Sequence, residues 1–383
     1  MTRPPQAAAF APAPTPARGG PDVHIRRTPP QPTAVYATYW RFAAERQAVF
    51  FRRLEGAPAP WSADPVLQRH KFTNSYRASD RVSQFLIGRV VYAGDPDPRE
   101  TVFRILLFKL FNRIETWQLL GAAVGELTAR GFDAARYDRA LEAALASGRR
   151  IYSAAYIMPS GAPFRRPLRS TPASPPSVQP PVERGGAPSP AAPGAVPWRK
   201  HRMHLALVGR MLRDGLPERL AAARSMGDAF ALLRAYPTIG DFLAYQLVTD
   251  VNYSPVTAFS ETEFVMPGPG ARDGLRKCFA SFGDFAEADV IRLVADRQEE
   301  EFARSGLAFR TLWGRPLQLI DCQNLFCEVD KYARVAHPEA QARSGRTRIK
   351  QVFRPHAEPL RVWYPPKWGI NARIPEHARA RDA

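Results

Sequence analysis

The chain has 383 residues, of which 45% are hydrophobic and 11% aromatic, enough to bury a core and to exclude a wholly disordered protein. Lys and Arg number 54 against 36 Asp and Glu, and this net charge of +18 favours a polyanionic partner such as nucleic acid. The sequence has no apolar stretch of membrane-spanning length, no signal peptide and no zinc-type cysteine spacing, so we expect an intracellular protein without a membrane partner or a disulfide scaffold.

Proline divides the chain into segments. Nine of the 38 prolines fall in residues 1–34 and twelve in residues 159–197, and neither segment has periodic apolar residues. These two segments and the C-terminal residues hold +12 of the net charge, which indicates phosphate binding without sequence preference. We predict a disordered N-terminal arm (1–34), helical block one (35–158), a disordered Pro-rich insert (159–197), helical block two (198–337) and a basic C-terminal tail (338–383).

Apolar residues at helical spacing predict a mostly α fold with no run of alternating strands. In block one the pattern predicts helices over Tyr36–Leu54, Ala78–Tyr92, Thr101–Leu120, Ala134–Ala146 and Arg150–Met158. In block two it predicts helices over Arg202–Arg213, Gly227–Ala235, Asp241–Asn252, Gly274–Phe282, Ala286–Phe302 and Leu317–Val335.

A short turn between two block-two helices is the most specific local signal. Pro237 and Gly240 follow one helix, and Asp241 opens the next. This pattern is typical of a helix-hairpin-helix element, in which helix N-terminal N–H groups hold a DNA phosphate and glycine leaves room for it. An ordinary helix–helix corner has the same residues, so both interpretations stay open.

The residues after this turn resemble base-excision DNA glycosylases of the helix-hairpin-helix class, which keep a carboxylate about 20 residues beyond the hairpin. Glu261 and Glu263 lie 21 and 23 residues after Gly240, and Glu263 is our first choice. That family uses Asp at this position, and the extra methylene of Glu is enough to change the chemistry. Solvated loop acids are the alternative.

A glycine-rich loop, Gly268–Gly274, precedes a helix and carries Arg272. Such a loop can cradle a phosphate or pyrophosphate. It is not a Walker A motif, and the sequence contains no Gly-x4-Gly-Lys-Ser/Thr.

Two polar clusters stand out within otherwise apolar helices. One runs from Asp321 to Arg334 and the other from Lys71 to Gln84, and both combine carboxylates or arginines with amides and an aromatic residue. A hydrogen-bonding wall for a flipped base and a surface or buried structural network are both consistent with these patterns. His201 and His204 are three residues apart but have no matching carboxylates in sequence, so we predict no metal site.

Together these motifs resemble the α-glutamyl/putrescinyl thymine pyrophosphorylases and the related helical domain of 5-hydroxymethyluracil DNA kinases, over about residues 35–337. This family is regarded as a distant, glycosylase-like helical fold. The matching segments are Trp61–Pro65, Phe72–Arg77 with Asp80–Arg81 and Ser83–Gln84, Phe103–Arg104, Phe111–Asn112 with Thr116, Gly240–Gln246, Asp250, Gly268–Ala271, Gly274 and Asp321–Arg334.

The resemblance implies displacement of pyrophosphate from 5-pyrophosphoryloxymethyluracil in double-stranded DNA by an amine or amino acid, without a cofactor and beside a separate 5-hydroxymethyluracil DNA kinase. The carboxylates would hold or deprotonate the amine, and cations and helix N-termini would hold the leaving pyrophosphate. The candidate catalytic residues are Glu263, Asp321, Glu328 and Lys331. The candidate DNA or phosphate ligands are Asn74, Arg77, Arg81, Gln84, Gly240, Gly268, Gly270 and Arg272, and the candidate base pocket is Tyr76, Asn112, Gln246, Gln323, Asn324 and Tyr332.

Two other functions fit the same sequence. A DNA glycosylase for a modified thymine would need a carboxylate near the sugar and would leave abasic sites. A non-catalytic DNA-binding module would work beside the kinase and would bind without turnover.

Overall fold

The computed structural model describes residues 27–154, 199–341, 343–355 and 358–380. The predicted Pro-rich insert (159–197) and residues 1–26 of the predicted N-terminal arm lie outside these ranges. The described part is mostly helical, as the sequence predicts, and none of its helices is long and apolar enough to span a membrane.

The described residues form α-helices and shorter helical turns with the following bounds. The α-helices are α1 (Ala34–Leu54), α2 (Pro65–Arg69), α3 (Arg81–Phe85), α4 (Pro98–Phe111), α5 (Ile114–Val124), α6 (Ala134–Ala146), α7 (Lys200–Arg213), α8 (Leu216–Ala221), α9 (Met226–Arg234), α10 (Asp241–Asn252), α11 (Pro269–Cys278), α12 (Glu287–Asp296), α13 (Gln298–Arg304) and α14 (Leu319–Ala336). The 3-10 turns are Arg77–Ser79, Pro366–Trp368, Asn371–Arg373 and Glu376–Ala378, and a π-helical turn covers Leu86–Val91.

A two-stranded antiparallel sheet anchors the start of the described chain. Strand β1 (Gln31–Pro32) pairs with β2 (Phe279–Ser281), and the Thr33 hydroxyl caps α1 by accepting from the Val35 N–H at 3.2 Å. The predicted disordered arm 1–34 is therefore too long, because residues 27–34 are held by block two. No sequence pattern indicates this pairing, since a strand of two residues is too short to show an alternation of apolar and polar residues.

Several predicted helices are confirmed, and others are split in two. The helices Ala134–Ala146 and Asp241–Asn252 have the predicted bounds. The predicted helix Thr101–Leu120 is instead α4 and α5, because Asn112 adopts a left-handed conformation with φ 48°. Other splits occur at residues 78–92, which include 3-10, α and π turns, and at residues 286–302, which form α12 and α13. The predicted helix Arg150–Met158 is not helical at 150–154, and its remaining residues lie outside the described ranges.

The two predicted blocks share one core. Tyr39 of α1 packs on Phe326 of α14, with ring centroids 4.5 Å apart. Helix α11 lies so close to α14 that a Cβ built on Gly274 would be 2.0 Å from the Phe326 carbonyl oxygen, so only glycine fits there. Block two therefore holds α1 of block one, and the blocks are not independent units.

The predicted basic tail 338–383 contributes to the same core. Val362, Tyr364 and Ile374 are at most 1% exposed. The Val362 N–H donates to the Ala378 carbonyl at 2.9 Å, and the Tyr364 and Ser79 hydroxyls are 2.8 Å apart. The described end of the chain is thus part of the folded body, a correction to the idea that its charge sits on a flexible extension.

Candidate nucleic-acid site

A closed ion cluster lies in the interior, where α4, α10 and the turn before α3 meet. The Asp250 carboxylate lies 2.8 Å from the Arg77 guanidinium and 3.0 Å from the Lys109 ammonium, and all three side chains are at most 4% exposed. Arg77 also donates to Gln246 at 3.0 Å and to the Tyr253 hydroxyl at 3.1 Å. We name Arg77, Lys109, Asp250, Gln246 and Tyr253 the ion cluster. Its cations are matched by protein groups, which is typical of a structural network.

Asp321, a predicted catalytic residue in the first turn of α14, binds the backbone of Arg77 in the ion cluster. One of its carboxylate oxygens accepts from the Arg77 backbone N–H at 2.8 Å and the other from the Gln318 N–H at 3.0 Å. Burial raises the pKa of Asp321 to about 6, although both hydrogen bonds oppose the rise. Asp321 thus fixes the start of α14 against the turn that carries Arg77.

The predicted base-pocket residues are mostly interior. The Tyr76 hydroxyl donates to the Arg315 carbonyl at 2.6 Å and accepts from the Leu312 N–H at 3.2 Å. Gln323 and Asn112 are buried, and the side-chain oxygen of each has no hydrogen-bond partner within the described ranges. Gln246 belongs to the ion cluster. None of these four residues lines either the groove or the cavity described below.

Two further base-pocket candidates, Asn324 and Tyr332, lie on the outer side of α14. Asn324 donates to the Thr73 hydroxyl at 3.1 Å, and the Tyr332 hydroxyl donates to Asp64 at 2.6 Å. Both therefore tie α14 to the chain around α2. The Asn324–Thr73 contact brings the Lys71–Gln84 cluster and the Asp321–Arg334 cluster together.

Glu328 and Lys331 form an ion pair at this junction. The Lys331 ammonium lies 2.7 Å from Glu328 Oε2, and the same oxygen accepts from the Thr73 N–H at 3.0 Å. Lys331 also lies over the Phe72 ring, 4.5 Å from its centroid. Of the four predicted catalytic residues, these two are in direct contact.

A basic groove opens beside this pair. It has a volume of about 620 Å³ and runs between α14 and residues 346–351. Arg334 pairs with Asp330 and donates to the Arg348 carbonyl at 3.2 Å, so it ties that segment to α14. The cations that line what we name the basic groove are Lys331, Arg334, Arg346, Arg348 and Lys350, and the acids are Glu328 and Asp330.

A partly open pocket, which we name the aromatic cavity, lies on the other side of Phe72. Its volume is about 350 Å³. Its walls come from α1, the chain around α2 and residues 353–355, and none of the described residues that line it is acidic. They are Arg46, Val49, Arg53, Ala59, Pro60, Trp61, Ser62, Leu67, Gln68, His70, Phe72, Phe353 and Pro355.

One extended segment connects the groove to the cavity. Lys71 N–H donates to the Gln351 carbonyl at 3.1 Å, and Phe353 N–H donates to the Arg69 carbonyl at 3.0 Å. His70 and Val352 form an antiparallel bridge between these two bonds. The segment therefore presents its cations to the groove at one end and Phe353 to the cavity at the other.

The remaining DNA-ligand candidates of block one organise the turn before α3. Asn74 donates to the Ser79 carbonyl at 2.7 Å, and its N–H donates to Asp80 at 2.8 Å. Gln84 donates to the Ala78 carbonyl and accepts from the Trp363 N–H at 2.8 Å. Arg81 alone is exposed, 4.0 Å from Glu115 at the surface.

The glycines of the predicted phosphate loop have packing partners. A Cβ on Gly268 would lie 2.6 Å from the Phe242 ring, and one on Gly270 would lie 3.0 Å from the Cys327 sulfur. Arg272 pairs with Glu287 at 3.0 Å. The loop thus requires glycine in order to seat α11 on its neighbours, whether or not a phosphate binds there.

In contrast to the glycines of that loop, the glycine of the turn between α9 and α10 has open space around it. A Cβ on Gly240 would have no neighbour within 4 Å, and no side chain caps the N-terminus of α10. Thr238 has a left-handed φ of 69°, and Arg234 pairs with Asp241 across the turn. DNA contact at this turn stays a prediction.

The two acids after this turn have different surroundings. Glu263 is exposed, and its carbonyl oxygen accepts from Arg292 at 3.1 Å. Glu261 lies 2.8 Å from Arg315 and accepts from the Trp368 indole N–H at 2.9 Å. The structure therefore encloses Glu261, and does not bring the first choice, Glu263, to the junction of Glu328 and Lys331.

His201 does have carboxylate neighbours, which come from α6 and so escaped the sequence pattern. Its Nε2 lies 2.8 Å from Asp138 and 3.3 Å from Glu142. Arg202 bonds the same two carboxylates at 2.9 and 3.2 Å, and Arg199 lies 2.9 Å from Glu142. Arginines thus already balance the carboxylates that a metal ion would need.

Arg46, His70 and Phe353 belong to none of the sequence motifs above. Arg46 could have been found, because it interrupts the apolar face of α1 between Phe42 and Val49, where a cation is costly unless it has a function or a partner. No pattern in the neighbouring sequence indicates a role for His70 or Phe353, since main-chain pairing between distant residues brings them together.

Comparison with known proteins places the chain in a family. The model of the 5-hmdU DNA kinase helical domain matches residues 33–342. A 5-hmdU DNA kinase of Bacillus phage SP10 is 25% identical over 325 residues, which cover 81% of this chain and 47% of that kinase. The chain thus spans about half the length of that relative, and no solved structure matches it. With most of its length matched, the chain belongs to the family of 5-hmdU DNA kinase helical domains.

Proposed function

We propose that this chain takes part in thymine hypermodification, binding double-stranded DNA through the basic groove and displacing pyrophosphate from 5-pyrophosphoryloxymethyluracil with an amine. One observation carries the proposal. The Glu328–Lys331 pair lies where a groove lined by cations meets an aromatic cavity, so an anionic leaving group and a base each have a complementary surface. The named substrate of the family, 5-hmdU in DNA, fits this arrangement.

The proposed reaction assigns the groups as follows. The amine nitrogen attacks the 5-methylene carbon, the carbon–oxygen bond breaks, and pyrophosphate leaves with the electron pair. Lys331 and the groove arginines stabilise the charge on the leaving oxygens. Glu328 accepts the proton that the amine loses, since its carboxylate lies beside Lys331 and lines the groove.

A kinase that phosphorylates 5-hydroxymethyluracil must supply such a substrate. The sequence contains no Gly-x4-Gly-Lys-Ser/Thr motif. We therefore propose that a separate kinase is a partner of this chain, and that an amine or amino acid is its co-substrate. A protein that handles DNA in this way would act inside the cell.

A non-catalytic DNA-binding module is the second candidate. Two observations favour it: both oxygens of Asp321 are engaged by backbone N–H groups, and Glu263 is exposed away from the Glu328–Lys331 pair. This module would bind modified DNA for the kinase, and substitution of Glu328 would leave binding unchanged and reveal no turnover.

DNA binding is tested first, by fluorescence anisotropy across a salt series. Replacing Arg346, Arg348 and Lys350 together with Gln should weaken binding and lower the slope of log K against log salt by about 2 to 3, since each contact contributes about 0.9. The matched control replaces three exposed cations elsewhere, Arg136, Arg139 and Arg219. Equal effects of the two triple variants would contradict the groove assignment.

Turnover is tested with DNA that contains 5-pyrophosphoryloxymethyluracil and a panel of amines, followed by digestion and mass spectrometry. Glu328→Gln keeps an acceptor for the Thr73 N–H but loses the base, so it should reduce turnover about 10²-fold with DNA binding intact. Glu299→Gln, an exposed acid on α13, is the control. Free-base release would indicate a glycosylase, and tight binding without any product would leave the binding module.

A further inference from the structure

We propose that the aromatic cavity is the pocket for a uracil-type base swung out of the DNA duplex, with Arg46 as the group that reads its carbonyl edge. This inference rests on the proposed function, because it names the position of the base in the same site. It places the base away from the interior residues Tyr76, Asn112, Gln246 and Gln323 that the sequence indicated.

The walls of the cavity suit a flat, apolar ring. Trp61, Phe72 and Phe353 come from three separate stretches of chain, and the Trp61 and Phe353 rings meet edge to face with centroids 6.2 Å apart. Val49 and Leu67 add aliphatic surface. The volume of about 350 Å³ falls within the roughly 300–1,000 Å³ of small-molecule pockets, and extruded bases are commonly held between aromatic and apolar side chains.

Two polar groups on these walls lack partners among the described residues, while Trp61, Ser62 and Gln68 are hydrogen-bonded within the protein. Arg46 is 8% exposed, and its Nη1 has no hydrogen-bond partner within the described ranges. The same is true of the buried Nδ1 of His70, which also faces this cavity. A buried donor without a partner is costly, so its presence at a cavity wall indicates a ligand that supplies the acceptor.

The charge of Arg46 suits a base that offers carbonyl oxygens as acceptors. Burial lowers the pKa of the Arg46 guanidinium to about 10, so the group is still a cation at neutral pH. A guanidinium only donates hydrogen bonds, and uracil offers two carbonyl oxygens on either side of a ring N–H.

The cavity and the groove share a boundary that suits a 5-substituted base. Phe72 lines the cavity, and the Lys331 ammonium lies 4.5 Å from its ring centroid while facing the groove. A base held between the aromatic side chains would therefore direct an anionic substituent toward Lys331 and the arginines beyond it. The sugar and phosphates would follow the cationic segment 346–350.

Photochemical crosslinking tests the location directly. Duplexes with one 5-iodouracil, placed opposite a mismatched base to ease extrusion, are irradiated with the full chain, and the crosslinked peptide is identified by mass spectrometry. We expect the crosslink at Trp61, Phe72 or Phe353. A crosslink at Tyr76 or Tyr253, or DNA binding with no crosslink in the cavity, would overturn the inference and leave the proposed function standing.

Variants provide the second measurement. Arg46→Gln should weaken binding of the mismatched duplex about tenfold or more, as expected for the loss of one hydrogen bond from a charged donor, and should remove the crosslink. Arg41→Gln is the matched control, since it removes one exposed cation from the same helix. If Arg46→Gln does not fold, Val49→Phe fills the cavity and should abolish the crosslink while duplex binding through the groove persists.

Two results separate this inference from the proposed function. Unchanged crosslinking in Val49→Phe would overturn the cavity assignment alone. Absence of duplex binding by the unmodified chain at low salt would overturn both.

Discussion

Two buried arginines, Arg77 and Arg46, lie in very different surroundings. Arg77 is held by Asp250, Gln246 and Tyr253, and its backbone N–H by Asp321. Arg46 faces an aromatic cavity, with Nη1 lacking a partner within the described ranges. Both cations are costly to bury, but Arg77 has direct ion-pair and hydrogen-bond partners, whereas Asp80 and Glu328 act on Arg46 only through their charges.

The difference distinguishes a buried charge that stabilises the fold from one that is available to a ligand. Sequence motifs drew attention to Arg77, because it stands among Asn, Asp and Gln residues. Those neighbours are the partners that occupy it. Arg46 lies on the apolar face of α1 between Phe42 and Val49, and within the described ranges its Nη1 has no hydrogen-bond partner.

Substituting each arginine with Gln should give the largest contrast in stability. Arg77→Gln removes one of the two cations from the buried Asp250 and should reduce the free energy of unfolding by about 3–5 kcal/mol. Arg46→Gln should change it by less than about 1 kcal/mol, because it breaks no hydrogen bond of the Nη1 atom. Urea titrations followed by circular dichroism measure both, and equal losses would erase the distinction.

Two glycines, Gly274 and Gly240, show a similar contrast, and we expect the effect of substitution on stability to be of intermediate size. Gly274→Ala would place a methyl group 2.0 Å from the Phe326 carbonyl oxygen and should cost about 1–3 kcal/mol by forcing α11 from α14. Gly240→Ala meets open space at a negative φ and should leave the melting temperature almost unchanged. If the hairpin interpretation is right, Gly240→Ala should still weaken DNA binding, which anisotropy at low salt would detect.

The smallest effect concerns pH and Asp80, which lies between the two arginines. Burial raises the pKa of Asp80 to about 7, against the hydrogen bond from Asn74 and the charges of Arg46 and Arg77, with Glu328 adding to the rise. Because the folded state holds this proton more tightly than the unfolded state, the stability it contributes is full below about pH 4 and is lost as the pH rises through 7.

Asp80→Asn should therefore flatten the fall in unfolding free energy between pH 5 and pH 8, by an amount on the order of 1 kcal/mol. Asp321 has a raised pKa of about 6 and contributes in the same direction, so part of the slope should remain. Asp228→Asn, on the first turn of α9, is the control. An unchanged slope in Asp80→Asn would contradict the assignment.

The helices were predictable where local pattern and packing agree. Asp241–Asn252 begins after Gly240 and Ala134–Ala146 begins after Asp133, and both have the predicted bounds. The break at Asn112 was not predictable, because apolar residues continue on both sides of it and the left-handed residue is Asn rather than Gly. Strand β1 and the packing of Tyr364 depend on contacts with residues hundreds of positions away.

The site was predictable only in part, for a physical reason. Glu328 and Lys331 are three residues apart on one helix, so their pairing follows from helical spacing. Arg46, His70 and Phe353 converge through main-chain bonds between residues 69–71 and 351–353, and no local pattern records such pairing. Glu263 was selected by its distance from Gly240 along the chain, which does not determine where its carboxylate points.

The segment 343–355 has an evolutionary consequence. The family match ends at residue 342, yet Phe353 and Pro355 line the aromatic cavity and Arg346, Arg348 and Lys350 line the groove. This segment is held near residues 69–71 largely by main-chain hydrogen bonds, which tolerate many side chains. If the aromatic cavity holds a base, substitutions at these few residues should change the preferred base or substituent at little cost to the stability of the helices beneath.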